Sequence, residues 1–400
     1  MEEKIASKGR RVVLAATLLS FLSGVSYTWS LISKVLIEDF NWTSKEASLP
    51  FTILTISSSI SMIIFGKIQD KLGPRNLSII GGLFLGISFI LSGIILTPVM
   101  LSITIGIFLG LGIGIINIST TPVVVKWFSE DIKGKITGIV VGGVGISSIF
   151  YSPLINKLLG TIGLNKSFIY IGIFILIFST LLSFFISNPP INFDPDKGIK
   201  RGGAIKSNRD LNWKEMLKTL DFYKLWLMFA FNSAVGLMLI THISNISKVQ
   251  AGWEGGFILI IIVAIFNALG RLLGGSLSDK LDRINFLRII FALQAINITL
   301  FAMYNSILPL ILGVAVGGFC YGSGFSVFPS ALSDYYGLKN FSENYGLLFT
   351  AWSLGGIIGP MTSATVFDAY SNYKLAYIIG LGLIAVSMLL TFTMKPKKKY

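Results

Sequence analysis

Twelve apolar segments, each long enough to cross a lipid bilayer, leave this chain very few folds. They run near 12–37, 47–66, 77–97, 99–126, 136–159 and 167–187, then near 222–247, 255–277, 285–304, 307–333, 343–367 and 373–394. A membrane helix needs roughly 20 mostly apolar residues, and several segments exceed that by a turn or two, which allows tilt. None alternates polar and apolar residues as a membrane β-strand does. Backbone inside hydrocarbon must satisfy its own hydrogen bonds, so segments of this kind become helices. The expected fold is an all-α membrane protein of twelve transmembrane helices. Only 13% of the residues are charged, about half the share of a soluble chain, which excludes soluble multidomain enzymes and disordered chains. One cysteine, Cys320, permits no internal disulfide, and one histidine, His242, leaves no histidine cluster for a metal. No cofactor or metal is expected, and no catalytic residues.

The opening stretch MEEKIASKGRR precedes an apolar run too long for a cleavable signal, with no small-residue cleavage site at its end. It reads as the start of the first spanning helix. The net charge of +14 would suit nucleic acid, but in a membrane chain charge first reports topology. With the N-terminus inside, 26 of the 33 basic residues fall on inner segments and 5 on outer ones, leaving Lys34 and Arg271 within helices. That split fits a prokaryotic cytoplasmic membrane with both termini in the cytoplasm. The expected surroundings are the lipid bilayer, with no nucleic acid and a monomeric chain. The one long polar interval, 188–220, is rich in Pro, Gly and charge. It reads as a cytoplasmic linker between six-helix halves at 1–187 and 221–400, with a short amphipathic helix near Trp213–Lys218.

The two halves carry a repeat. The link after the second segment reads GKIQDKLGPR, from Gly66 to Arg75, and that after the eighth reads GSLSDKLDR, from Gly275 to Arg283. Both contain G-x-x-x-D-K-L, and Gly66 and Gly275 lie 209 positions apart, about half the chain. A tight cytoplasmic turn explains the pattern: glycine for close approach, and Asp70 or Asp279 to cap a helix or pair with a base. The loop resembles the signature of the major facilitator superfamily, G-x-x-x-D-[RK]-x-G-x-[RK], matched in full at Gly66–Arg75. The second copy has Asp282 where the glycine would stand. The resemblance implies two pseudo-symmetric halves that switch about a central site, with Gly66, Asp70, Arg75, Gly275, Asp279 and Arg283 in the switching loops.

A charge within a bilayer is a functional residue by default. No acidic residue lies in the middle of a segment, and of the two bases Lys34 sits about a turn from the outer end, where it can snorkel. Arg271 is different. It lies inside the eighth segment between Gly270 and Gly274, and with no acid to neutralise it the expected partner is a ligand carboxylate, gripped by the guanidinium fork. Asn267 is four residues earlier on the same helical face. His242 in the seventh segment is the one side chain that titrates near neutrality unaided, suited to a substrate hydroxyl or a proton relay. Tyr27, Trp29, Asn117, Tyr151, Tyr321 and Trp352 fall at middle depth and are candidates for a cavity wall. The run GLGIGI at 110–115 has neither a preceding strand nor a G-K-[ST], so it is not a nucleotide loop. Like Gly138, Gly142, Gly143 and Gly145, and Gly355 with Gly359, its glycines are expected to let helices touch.

Several stretches together resemble one family: the oxalate/formate antiporters and monocarboxylate transporters. They are SYTWSLISKVLIEDFNW at 26–42, ISTTPVVVKWFSEDIKGKITGI at 118–139, GLMLITHISNISK at 236–248, NALGRLLGGSLSDK at 267–280, YGSGFSVFPSALSDYYGLKN at 321–340 and NYGLLFTAWSLGGIIGP at 344–360. The resemblance implies that Arg271 binds the substrate carboxylate and that His242 occupies a functional position. Two departures stand out. Trp352 replaces a lysine of the oxalate exchangers, and Asn117 replaces a tyrosine of some lactate carriers. The expectation is a non-enzymatic secondary transporter of a small monocarboxylate resembling lactate, formate or pyruvate, by exchange or with a proton. The alternatives are a dicarboxylate antiporter of the oxalate/formate type and a proton-coupled drug exporter, the latter lacking the embedded acid it would need.

Overall fold

The computed structural model describes residues 2–128, 133–190, 193, 210–337 and 340–394, and among them every regular element is a helix. Eleven continuous stretches are long and apolar enough to cross a membrane. One, Lys133–Ser183, is 51 residues long and breaks at Gly163, where φ is 76° and ψ is 174°. A straight helix of that length would measure roughly 75 Å, more than twice a bilayer core, so it supplies two spans. Twelve spans result, as the apolar pattern predicts.

In chain order the spans are α1 (Glu2–Ser23, Gly24–Thr28 and Trp29–Phe40), α2 (Ser44–Leu72), α3 (Pro74–Ile94) and α4 (Pro98–Leu101, Ser102–Leu109 and Gly110–Val125). Then come α5 and α6, the two parts of Lys133–Ser183, and α7 (Leu220–Ala251), α8 (Gly256–Leu281), α9 (Arg283–Phe301), α10 (Ile307–Tyr336), α11 (Phe341–Tyr370) and α12 (Lys374–Phe392). Of the linker interval 188–220, residues 191–192 and 194–209 lie outside the described residues. A single helical turn, Trp213–Met216, stands where the amphipathic helix is expected, capped by Asn212 and Glu215. Backbone and side-chain hydrogen bonds tie Leu211 to Tyr336 and Asn344, at the ends of α10 and α11.

Two spans depart from a plain α-helix, and composition marks neither. In α1 the segment Gly24–Thr28 is a buried 3₁₀ turn. In α4, Ser102–Leu109 is π-helical, a geometry that concentrates at functional sites.

The repeated motifs are less loop than the sequence suggests. Gly66 and Gly275 are helical, because α2 and α8 run on to Leu72 and Leu281 before turning. The turn itself is one residue: Gly73 at φ 76° and ψ 156°, and Asp282 at φ 73° and ψ 143°. Asp282 sits in a region that side chains avoid, and its carboxylate accepts from the backbone N–H of Ile284 and Asn285, capping α9. Asp279 pairs instead with Arg283 at 2.5 Å, and Arg283 reaches Asp334 at 3.1 Å. Arg75 is exposed, and the side chain of Asp70 lies outside the described residues.

Candidate functional site

Small residues in α8 decide where its polar side chains point. A Cβ on Gly270 would stand 2.3 Å from the Phe319 carbonyl of α10, and one on Gly322 of α10 would stand 2.1 Å from that of Asn267. The two backbones therefore lie in contact, and the opposite face of α8 meets α5 of the other half, where Gly145 abuts Ala268. Arg271 is enclosed between the halves at 2% exposure. Its Nε donates to Asn267 Oδ1 at 2.9 Å, its Nη1 to the Val141 carbonyl of α5 at 2.6 Å and its Nη2 to the Tyr27 hydroxyl at 3.2 Å. The guanidinium also lies over the Phe325 ring, 4.3 Å from its centre, a favourable cation–π contact. Among the described residues no carboxylate pairs with it. A buried cation held only by neutral groups keeps an uncompensated charge, which an anion would balance.

Around the guanidinium is a cavity of about 440 Å³. Its walls come from both halves: Ser23, Ser26 and Tyr27 of α1, Asn117 of α4, Val141 of α5, and Tyr345, Phe349 and Trp352 of α11. The 3₁₀ break in α1 places Tyr27 here. A Cβ on Gly24 would stand 2.2 Å from Ser147 Oγ, so only glycine lets α1 approach α5 at the break. Discontinuous helices of this kind recur at transporter sites near the bilayer midplane. Behind Tyr27, its hydroxyl lies 3.0 Å from that of Tyr321, which in turn accepts from Trp352 Nε1 at 3.0 Å. A second, narrower cleft of about 230 Å³ adjoins Tyr27 and Asn267 and is otherwise lined mostly by Ile240, Ile243, Ile260, Val263 and Ala264. Asn267 Nδ2 is buried without a hydrogen-bond partner.

Of the residues singled out from sequence, the structure brings Arg271, Asn267, Tyr27, Asn117, Tyr321 and Trp352 together. It does not bring in three others. Trp29 donates from Nε1 to the Ala47 carbonyl, tying α1 to α2. Tyr151 is fully buried beside Phe21, its hydroxyl unpartnered among the described residues. His242 sits in a seam between the halves, its Nε2 at 3.3 Å from Ser48 Oγ of α2 and 3.1 Å from the Pro360 carbonyl of α11. Sequence reasoning missed Phe325, which lies four residues after Tyr321 and so shares its face, and the serines flanking Gly24.

The His242 seam belongs to a closure at the end that the charge bias assigns to the outside. Lys34 of α1 pairs with Glu254, in the turn after α7, and Lys248 of α7 pairs with Glu38 at 2.6 Å and Glu254 at 3.3 Å. Lys34 thus has ionic partners beyond a snorkelling position. The ammonium of Lys34, then that of Lys248, holds the Glu254 carboxyl below its usual value. Ser30 meets Ser244 at 3.2 Å. Asp368 of α11 accepts from the backbone N–H of Ser44 and Lys45, each at 3.2 Å, so the first turn of α2 is capped by the opposite half.

The family model of the Major Facilitator Superfamily matches residues 13–301 and 228–400. An uncharacterized MFS-type transporter of Escherichia coli strain K12, YhjX, is 28% identical over 87% of this chain and 86% of its own. The oxalate:formate antiporter of Oxalobacter formigenes is 26% identical over 92% of this chain and 87% of its own. Among solved structures, an inward-facing, occupied bacterial homolog of the human lysosomal transporter Spinster superposes with a TM-score of 0.71. It is 14% identical and the match covers 96% of each chain.

Proposed function

The chain belongs to the Major Facilitator Superfamily, and from that premise we propose that it carries a small monocarboxylate across the membrane by alternating access, exchanging one acid for another more readily than importing it alone. The observation that carries this is Arg271: a cation at the meeting of the two halves, buried, and held only by neutral groups. A carboxylate matches its fork in geometry and charge. The small free volume suits a short acid, and the cleft of isoleucines and Val263 beside Asn267 suits the acid's apolar end. One buried cation matches one carboxylate, and Trp352 adds no second charge, which favours monocarboxylates over oxalate.

Exchange follows from electrostatics. Loaded, the site is neutral; empty, it holds a bare guanidinium that must pass through a closed, poorly hydrated state, which is costly. The halves at 1–187 and 221–400 are the rocking bodies, joined by the cytoplasmic linker 188–220. The protein works as a monomer in a prokaryotic cytoplasmic membrane with both termini inside. If a proton accompanies the acid, His242, the substrate's own carboxyl or water carries it.

Uptake of labelled formate, lactate and pyruvate into proteoliposomes, with and without unlabelled acid inside, tests this. Internal acid is expected to speed entry, oxalate to compete poorly, and Arg271→Lys to lose ~2–4 kcal/mol of ligand binding, about 30- to 1,000-fold. Near-normal uptake by Arg271→Lys would remove the residue from the site.

A further inference from the structure

The hydroxyls of Tyr27 and Tyr321 lie between two groups that can only donate. Trp352 Nε1–H donates to Tyr321, and Arg271 Nη2–H donates to Tyr27. The tyrosine oxygens are 3.0 Å apart, so one phenol hydrogen is used between them. Two hydroxyls bring two hydrogens, and one is left over whichever way the pair is oriented. Among the described residues neither phenol has a further acceptor.

The location of that hydrogen is decided by burial. Tyr321 is 1% exposed and borders neither cavity, whereas Tyr27 borders both. A spare O–H on Tyr321 would be a buried, unpaired donor, which is disfavoured. The relay therefore runs from Trp352 to Tyr321 to Tyr27, and Tyr27 ends with its hydrogen turned to the cavity.

We propose that Trp352 and Tyr321 are positioning residues that aim the Tyr27 hydroxyl at the substrate as a third donor beside the Arg271 fork. This rests on Arg271 as the anion site. The relay adds a donor to the guanidinium fork, so the site fits the ionised form of a carboxylate best. Trp352 itself need not touch the ligand; it acts through Tyr321.

The test is a double-mutant cycle on the purified full-length protein, with sodium acetate and sodium nitrate as probes and binding followed by titration calorimetry and thermal stabilisation. Tyr321→Phe is expected to weaken acetate binding about tenfold, in the range of a lost hydrogen bond to a charged group. Trp352→Phe, which keeps a ring and removes the donor, should weaken it by a similar factor alone, yet by less than twofold in the Tyr321→Phe background. Acetate, the more basic acceptor, should lose more than nitrate in each single variant, whereas a general disturbance of packing would cost both equally. Additive losses, equal losses of the two anions, or wild-type acetate affinity in Tyr321→Phe would each overturn the relay. Wild-type affinity in Arg271→Lys, or no binding of either anion to the wild type, would instead overturn the anion site beneath it.

Discussion

The cap that α11 places on α2 gives a direct handle on the outer closure. The first turn of α2 presents four backbone N–H groups with no partner inside the helix. Thr43 Oγ1 accepts from Glu46, and Asp368 takes those of Ser44 and Lys45 from the other half, each at 3.2 Å. Asp368→Ala returns those two donors to water. Loss of a cap costs 0.5–2 kcal/mol, and because Asp368 is exposed its charge adds little, so about 1 kcal/mol is expected. The contact exists only while the outer end is closed, so all of this falls on the balance between closed and open forms, about a fivefold shift toward open. The assay is labelling of Ser30→Cys, at the same seam, by a membrane-impermeant maleimide in a Cys320→Ser background. Asp368→Ala should label about five times faster, and Asp368→Asn, which keeps one acceptor oxygen, about twice as fast. An unchanged rate in Asp368→Ala would refute the closure as described.

The Glu254 carboxyl is depressed by Lys34 and Lys248, so its contribution to closure is complete above the unpaired value of about 4.3 and is lost as pH falls through the lowered one. Solvent access to the same seam, read from an environment-sensitive dye attached beforehand to Ser30→Cys, should rise in acid as pH falls through the lowered value, and Glu254→Gln should flatten that rise. At the turn into α9, Asp282→Ala keeps the unfavourable φ of 73° and loses the cap, for a loss of about 1–2 kcal/mol in thermal unfolding. Asp282→Gly relieves the strain while losing the cap, and should come out within about 1 kcal/mol of wild type. In α5, a Cβ on Gly143 would lie 2.4 Å from the Thr17 carbonyl, whereas one on Gly142 meets nothing within 4 Å. Gly143→Ala should therefore destabilise by about 1–3 kcal/mol, and Gly142→Ala should leave the melting temperature near that of wild type.

Hydropathy made the twelve spans legible because bilayer thickness sets their length. Arg271 was legible because nothing else in its segment resembles it. Depth along a helix is readable from sequence, but facing is not. Tyr27 and Trp29 lie at similar depth, yet the 3₁₀ break turns one toward Arg271 and leaves the other bonded to Ala47. That break and the π stretch of α4 change hydrogen-bond register without changing composition, so no apolar count finds them. His242 stands out in the sequence because it is unique, but uniqueness does not reveal that its ring faces the seam between the halves. Nothing in the sequence marks Asp368 or Glu254, since a partner in the opposite half leaves no trace in local spacing.

The paired turns at Gly73 and Asp282 make one bend from two unlike residues. Their torsions agree within 3° in φ and 13° in ψ, although one is a residue that adopts them freely and the other a residue that resists them. One bend thus accepts two unlike residues, and the residue that resists it also caps the helix that follows. A search for this turn is therefore better made on backbone angles than on residue identity.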